Sequence, residues 1–183
     1  MNIRKTIAAM AVLALASITV TTAAAQTPAA PKAQPEARPF PNRNGPLSGM
    51  ALFIPDAQVV EFHKPPHESP RVSILHEVKV GEVIALKVTF IGPQLDAAKE
   101  ADVTFDIDFV GPDGKALSGG SLKGLKVIKG PVSAPNAVFD NTSVVPKISF
   151  DASDAKGLYK AVVVLHDNIA NRDLSMTAEI TLQ

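Results

Sequence analysis

The chain contains no cysteine, and several kinds of chemistry are excluded with it. Disulfide bonds, thiolate metal sites and thiol catalysis all require cysteine. A lipid anchor attached at a cleavage point requires it too. Tryptophan is also absent, and Tyr159 is the only tyrosine. A small domain without disulfides has to be stabilised by its hydrophobic core.

The first 25 residues have the pattern of a signal peptide. Arg4 and Lys5 give a positive start, an apolar stretch follows from Ile7 to Val20, and Ala23 and Ala25 are the small residues that a signal peptidase accepts. An uncleaved membrane anchor is the alternative, but a bilayer span requires about 20 strongly apolar residues. We therefore expect a periplasmic or secreted protein that is neither lipid-anchored nor membrane-spanning after cleavage.

Basic charge is not in excess. The whole chain has 18 basic and 18 acidic residues. Cleavage after residue 25 removes two basic residues, Arg4 and Lys5, and no acidic one, so the mature chain is slightly acidic. Nucleic acid calls for a clustered basic surface, so we expect no nucleic-acid partner.

Residues 26–46 predict a disordered, extended tether. They hold six prolines among alanines and polar residues, and proline removes backbone donors and favours extended linkers. A passive spacer is the simplest interpretation. A docking segment is the alternative, with Lys32, Arg38 and Arg43 as its charges and Phe40 as its anchor.

Residues 47–183 predict a single all-β domain, because apolar residues recur there with a period of two. The last segment shows the pattern most clearly, since Leu174, Met176 and Ala178 alternate with polar residues as far as Leu182. Tyr159 to Leu165 is apolar on both faces, which indicates a central strand. Seven strands are expected between turns rich in glycine, proline and asparagine, which is typical of an immunoglobulin-like antiparallel β-sandwich. They are 72–80, 84–90, 103–109, 122–128, 144–150, 159–165 and 174–182.

The segment before these strands is ambiguous. Met50 to Ile54 predicts a strand, and residues 55–64 fit either a short helix with Asp56 as its N-cap or a further strand containing Val59 and Val60. We favour the short helix, ended by Pro65.

One segment resembles a known family. Asp154, Gly157 and Tyr159, followed by an apolar strand to Leu165, are similar to the tyrosine corner of immunoglobulin-like and fibronectin type III-like domains. The resemblance implies that the Tyr159 hydroxyl bonds back to the preceding loop. The PDGK sequence at 112–115, together with the later Gly-x-Tyr strand and the terminal hairpin, also resembles uncharacterised exported bacterial proteins of one-sandwich size. Neither likeness implies an activity.

Two histidines are candidate metal ligands. His63 and His67 flank Lys-Pro-Pro, and this spacing can place two imidazoles on one copper or zinc ion. His76 or His166 would complete the site only through the fold, and Met50 offers a thioether to copper. The alternative is that they are ordinary surface histidines.

Candidate catalytic groups are few. Asp106 and Asp108 share one face of a strand and would be neighbours, as acid–base or calcium chemistry requires, but the polar side of an amphipathic strand carries charge in any case. Asp151 and Asp154 are expected to cap the loop before Tyr159. Gly-x-Ser-x-Gly and phosphate-binding glycine loops are absent from the sequence. We expect no enzyme and no cofactor.

The sequence thus favours a non-catalytic binding or accessory module that acts on another exported or envelope protein through loops or edge strands. The strand with Pro146 and the strand Leu122–Ile128 are the expected edges. Their lysines are interpreted as guards against aggregation: Lys123, Lys126, Lys129 and Lys147. A metal-binding protein using His63 and His67 is the alternative function, and a hydrolase is a third.

Overall fold

The alternation of apolar and polar residues produces two β-sheets in the computed structural model, which describes residues 40–65, 68–132, 134 and 137–183. The strands are β1 (Asn42–Asn44), β2 (Leu47–Pro55), β3 (Glu77–Val78), β4 (Val83–Ile91), β5 (Glu100–Val110), β6 (Ala116–Pro131), β7 (Phe139–Asp140), β8 (Lys147–Ser149), β9 (Gly157–Asp167) and β10 (Arg172–Leu182). A 3-10 helix, Asp56–His63, follows β2.

The first sheet has the order β1-β2-β4-β7, with β8 also paired to β4, and the second has the order β3-β10-β9-β5-β6. The pairs are antiparallel except that of β3 with β10, which is parallel. The all-β, sandwich-like arrangement is therefore confirmed.

One hydrophobic core lies between the sheets. Side chains of β5 are buried in alternation, β4 is buried on both faces from Ile84 to Phe90, and β9 and β10 supply matching apolar rows. The central position expected for the strand from Tyr159 to Leu165 is confirmed, since β9 has β10 on one side and β5 on the other. The inward side chains of β10 are all buried: Leu174, Met176, Ala178, Ile180 and Leu182.

Two strands are shorter than the sequence predicted. The expected strand 72–80 is reduced to β3 because the chain there crosses from one sheet to the other: the Leu75 amide donates to the Phe53 carbonyl of β2, and the Thr181 amide of β10 donates to the His76 carbonyl. The expected strand 144–150 is reduced to β8. Before it, the Leu86 amide of β4 donates to the Pro146 carbonyl, and the side chain of Asn141 is bonded to Val88 and Leu86.

One strand is longer than predicted. The expected strand 122–128 is only part of β6, which runs continuously from Ala116 to Pro131. Its register against β5 shifts at three places. Gly119 and Gly124 adopt positive φ angles of 71° and 63°, which suit the bulges that take up the extra residues.

The helix favoured for residues 55–64 is present as a 3-10 helix, but Asp56 is not its N-cap. Pro55 occupies that position, no side chain caps the helix, and the Asp56 carboxylate is instead 2.9 Å from Lys147 Nζ. At the amino-terminal end, β1 pairs with β2 and lies inside the segment 26–46 that was assigned to the tether. In the described part of the chain no helix has the length and apolar character needed to cross a bilayer.

Candidate functional site

The predicted metal site lies partly outside the described residues. His63 is exposed at the end of the 3-10 helix, and His67 is not described. His76 precedes β3 and His166 belongs to β9 of the second sheet. In the ranges that the structure describes, no three histidine, aspartate or glutamate side chains form a group that would hold a metal ion. A site using His63 and His67 stays a prediction.

The paired carboxylates of β5 belong to a charge network on the outer face of the second sheet. Lys123 Nζ is 2.9 Å from Asp108 Oδ2 and 3.6 Å from Asp106 Oδ2. The Gly124 amide, which donates to Asp106, is the main reason that the pKa of Asp106 lies below its ordinary value, and the Ser121 hydroxyl acts in the same way on the pKa of Asp108. Both acids are therefore held ionised, which suits ion pairing and not proton donation.

His166 extends this network. Its Nδ1 lies 2.7 Å from Asp173 Oδ1, and its Nε2 lies 3.6 Å from Asp106 Oδ2. The Ser121 hydroxyl donates to Asp108 at 2.7 Å. Among the described residues no serine hydroxyl is bonded to this imidazole.

A buried lysine, which the sequence did not single out, lies on the outer face of the first sheet. Lys87 has no exposed surface, although it alternates along β4 with the core residues Leu86 and Val88 and so lies on the face away from the core. Its Nζ is 2.8 Å from Asp140 Oδ1 and 2.5 Å from the Thr142 hydroxyl, and it lies 4.0 Å from the ring centroid of Phe62 in the 3-10 helix. Burial lowers the pKa of Lys87, while the hydrogen bond and charge of Asp140 act in the opposite direction. Through these contacts Lys87 joins the 3-10 helix and the turn after β7 to the first sheet.

Asn141 continues the ladder of β4 with its side chain. Its Oδ1 accepts from the Val88 amide and its Nδ2 donates to the Leu86 carbonyl, both at 3.0 Å. Asn141 has no exposed surface, so the Asn-Thr-Ser glycosylation sequence that begins there is inaccessible in the folded protein.

The loop before β9 has the contact that the tyrosine-corner resemblance implies. The Tyr159 hydroxyl donates to the Ala155 carbonyl at 2.7 Å. Asp154 accepts from the Asp151 amide at 2.8 Å, so these two acids stabilise the turn. Gly157 has a φ of 136°, and a Cβ there would lie 3.0 Å from the Pro112 side chain. Burial, with the charge of Asp154, raises the pKa of Tyr159.

One edge of β10, in the second sheet, is paired along only a short part of its length. In the described residues β3 pairs only with Thr181 and Leu182, so residues 174–180 have no strand neighbour on the side away from β9. The Thr181 amide donates to the His76 carbonyl on that side. Because backbone groups alternate along a strand, those of Ser175, Thr177 and Glu179 point to the same side. Three N–H and three C=O groups therefore lie on the side of β10 away from β9, one of each from Ser175, Thr177 and Glu179.

Both ends of this open edge are closed. The side chain of Asn44, at the end of β1, donates to the Asp173 carbonyl at 2.8 Å. At the other end the His76 carbonyl is bonded to Thr181, and β3 continues alongside. The edge is a recess about seven residues long, which at about 3.3 Å per residue spans roughly 20 Å.

A groove of about 390 Å³ lies beside the recess, between the edges of the two sheets. Residues 51–53 of β2, the crossing residues 74–76 and residues 177–179 of β10 line it. Ala51 and Ala178 place small side chains there, and Ile74 is 52% exposed. We refer to the open stretch 174–180 and this groove together as the β10 edge site.

The two edges that the sequence singled out are present but protected. β6 is the last strand of its sheet, and β8 pairs only with β4. Lys123 and Lys129 of β6 bind carboxylates of β5, and Lys147 of β8 binds Asp56. The bulges of β6 further interrupt its edge. The sequence missed the β10 edge because its pattern matches that of any half-buried strand.

No protein-family model matches the chain, and no curated protein matches it. Solved structures that are weakly similar to the chain include the following three. A family 123 glycoside hydrolase from Clostridium perfringens aligns with a TM-score of 0.39 and 10% identity over 75% of this chain and 27% of that one. An alkylpurine DNA glycosylase from Pseudomonas fluorescens, bound to DNA with an abasic site analogue, aligns with a TM-score of 0.32 and 19% identity over 58% and 27%.

A lytic polysaccharide monooxygenase from Streptomyces lividans aligns with a TM-score of 0.25 and 13% identity over 64% of this chain and 63% of that one. The chain spans 27% of the length of each of the first two proteins. At these TM-scores the likenesses identify neither a family nor a function.

Proposed function

We propose that the chain is an exported, non-catalytic, immunoglobulin-like binding module that accepts an extended segment of another exported or envelope protein at the β10 edge site. The observation that carries the proposal is the row of backbone groups at Ser175, Thr177 and Glu179 that have no partner among the described residues and lie beside an open groove. The hydrogen bond of Tyr159 to Ala155 supports the immunoglobulin-like part of the proposal.

Strand addition uses backbone hydrogen bonds for affinity and side-chain contacts for specificity. A partner segment in the recess would pair with the N–H and C=O groups of three residues of β10. Each such bond contributes about 0.5–1.5 kcal/mol net, and ordering the segment offsets part of that gain. The outcome is a moderate affinity, which suits an accessory protein that binds reversibly.

The β10 edge suits this role better than the β6 edge does. Extra residues at the bulges disrupt the regular spacing of donors and acceptors on β6. Lysines paired with aspartates also lie along β6. Along β10 the pairing with β9 is regular over its whole length, so the free groups on the other side are evenly spaced.

The test uses the mature protein against a displayed library of eight-residue random peptides, about the length of the recess. We expect enriched peptides to bind the wild type and to lose binding to Thr177→Pro. Proline there removes an N–H that faces the recess and leaves the bonds to β9 in place. Thr177→Val is the matched control, because it changes the side chain and keeps the N–H. Its binding should equal that of the wild type.

Two results would contradict the proposal. One is a library that yields no binder. The other is a set of binders that tolerate Thr177→Pro as well as Thr177→Val, since their site would then lie elsewhere. Thermal unfolding of both variants shows whether the fold is retained.

A further inference from the structure

We infer that the segment taken up at the β10 edge site places one large apolar side chain in the groove and carries lysine or arginine on its opposite face. This inference rests on the proposed function, since it specifies the chemistry of the segment that occupies the same site.

The groove provides the apolar half of the specificity. On β10, Met176, Ala178 and Ile180 point inward, and Ala178 is the small one among them. Ala51 of β2 lies on the other wall of the groove. Because two alanines leave the space between the sheet edges unfilled there, a strand paired with β10 would direct an inward side chain into it, against Phe53 and the exposed Ile74.

The outer face of the edge provides the charged half. Asp173, Glu179 and Glu77 carry carboxylates along β10 and β3, and all three are exposed. Asp173 Oδ1 is 2.7 Å from His166 Nδ1 of β9. Glu179 is 2.8 Å from Lys160 of β9. Glu77 has no cation within ion-pair distance among the described residues. A neighbouring strand with basic outward side chains complements this row, because opposite charges on adjacent strands attract.

The recess also selects against a second copy of this chain. Asn44 closes one end and β3 closes the other. The β10 strand of another copy would bring its own β1 and β3 alongside these flanks, and they would meet before the strands paired. A single extended segment has no such flanks.

The probe is a capped peptide, Lys-Val-Thr-Leu-Thr-Val-Lys, whose alternate residues face the groove and the solvent when it pairs with β10. The first comparison peptide replaces its central leucine by alanine, and the second replaces both lysines by glutamate. Binding is followed by two-dimensional NMR titration of the mature protein, which reports both affinity and position.

We expect the alanine peptide to bind roughly tenfold more weakly, since the apolar anchor is lost. The glutamate peptide should bind about fivefold more weakly at low salt, with a smaller difference at high salt. Ala51→Leu fills the groove and should reduce binding of the leucine peptide while sparing the alanine peptide. Shifts should be confined to residues 51–53, 74–76 and 173–181.

The outcomes separate the two proposals. One outcome contradicts only the inferred chemistry of the bound segment. In it, library peptides require the Thr177 amide, the leucine and alanine peptides bind with equal affinity, and Ala51→Leu changes neither affinity. Strand addition then stands. If shifts fall on Leu122–Ile128, or if the protein dimerises through β10, both proposals are overturned. If neither the library nor the probe binds, both are again overturned.

Discussion

Lys87 and Asp140 form an ion pair, and we expect replacement of the acid to lower the free energy of unfolding far more than replacement of the lysine does. The side chain of Lys87 is fully buried, whereas that of Asp140 is 23% exposed. Removal of the acid by Asp140→Ala leaves a buried ammonium with only the Thr142 hydroxyl and the Phe62 ring. Breaking a buried pair in this way costs about 3–5 kcal/mol. Since water reaches Asp140, we expect about 3 kcal/mol.

Replacement of the lysine should be far milder. Lys87→Met keeps an unbranched side chain against Phe62 and removes the charge that had to be desolvated. Exchanging the charged member of a buried pair for an apolar side chain of similar volume is often neutral or stabilising. Asp140, being partly exposed, remains hydrated. We expect Lys87→Met to lie within about 1 kcal/mol of the wild type and Lys87→Met/Asp140→Ala to recover most of the loss of Asp140→Ala.

The pH dependence gives an independent check. Burial places the pKa of Lys87 in the folded protein below the ordinary 10.5. At pH values between the pKa of Lys87 in the folded protein and its ordinary value, the unfolded chain binds more protons than the folded protein does. The free energy of unfolding therefore rises with pH in that range. Asp140 acts to raise the pKa of Lys87. Its removal should therefore lower the pKa of Lys87 in the folded protein further and extend this pH range to lower pH. The destabilisation of Asp140→Ala should therefore shrink as pH rises from about 7 toward about 10.

The assay is urea unfolding of the four proteins at both pH values, with the midpoint and the slope compared. An unchanged slope shows that the variants unfold in the same way. Equal losses in Lys87→Met and Asp140→Ala, or a loss in Asp140→Ala that does not depend on pH, would refute the reasoning.

Three further predictions concern other parts of the chain. Tyr159→Phe removes the hydrogen bond to the loop before β9 and should lower the free energy of unfolding by about 1 kcal/mol, measured in urea; no change would mean that the loop is held by its turn alone. Gly92→Ala should be at least about 2 kcal/mol more destabilising than Gly81→Ala. Both glycines have positive φ, but a Cβ at Gly92 would lie 2.2 Å from the Pro46 carbonyl oxygen, whereas a Cβ at Gly81 would meet open space. Equal losses of stability would contradict this packing. Elemental analysis after loading should find substoichiometric copper and zinc, and one ion per chain, lost in His63→Ala, would instead support the predicted metal site.

The sequence predicted the strands wherever one face is buried and the other is wet. The ends of β5, β9 and β10 were predicted to within three residues, because apolar residues recur at every second position along these strands. The same reasoning failed for residues 72–80, which have a strand-like composition but cross between the sheets, so only Glu77 and Val78 pair. The local pattern of apolar and polar residues does not determine which strand the backbone of a segment will bond to.

The candidate site was beyond the sequence for the same reason. Edge strands were predicted from proline, glycine and lysine, and those features mark edges that are already protected, as on β6. The open edge of β10 has the regular alternation of a paired strand. Its exposure depends on where β3 ends and where Asn44 makes its bond.

By itself, the sequence determined the class of the fold, the central place of β9 and the absence of thiol chemistry, because side-chain periodicity and composition are local properties of the chain. Only the tertiary structure decided that Lys87 would be buried, that Asn141 would be inaccessible and that residues 174–180 of β10 would have no second strand neighbour in the described part of the chain. Each of these depends on which segments, distant in the chain, come to lie against a strand, and a periodic pattern records the two faces of a strand without recording what covers them.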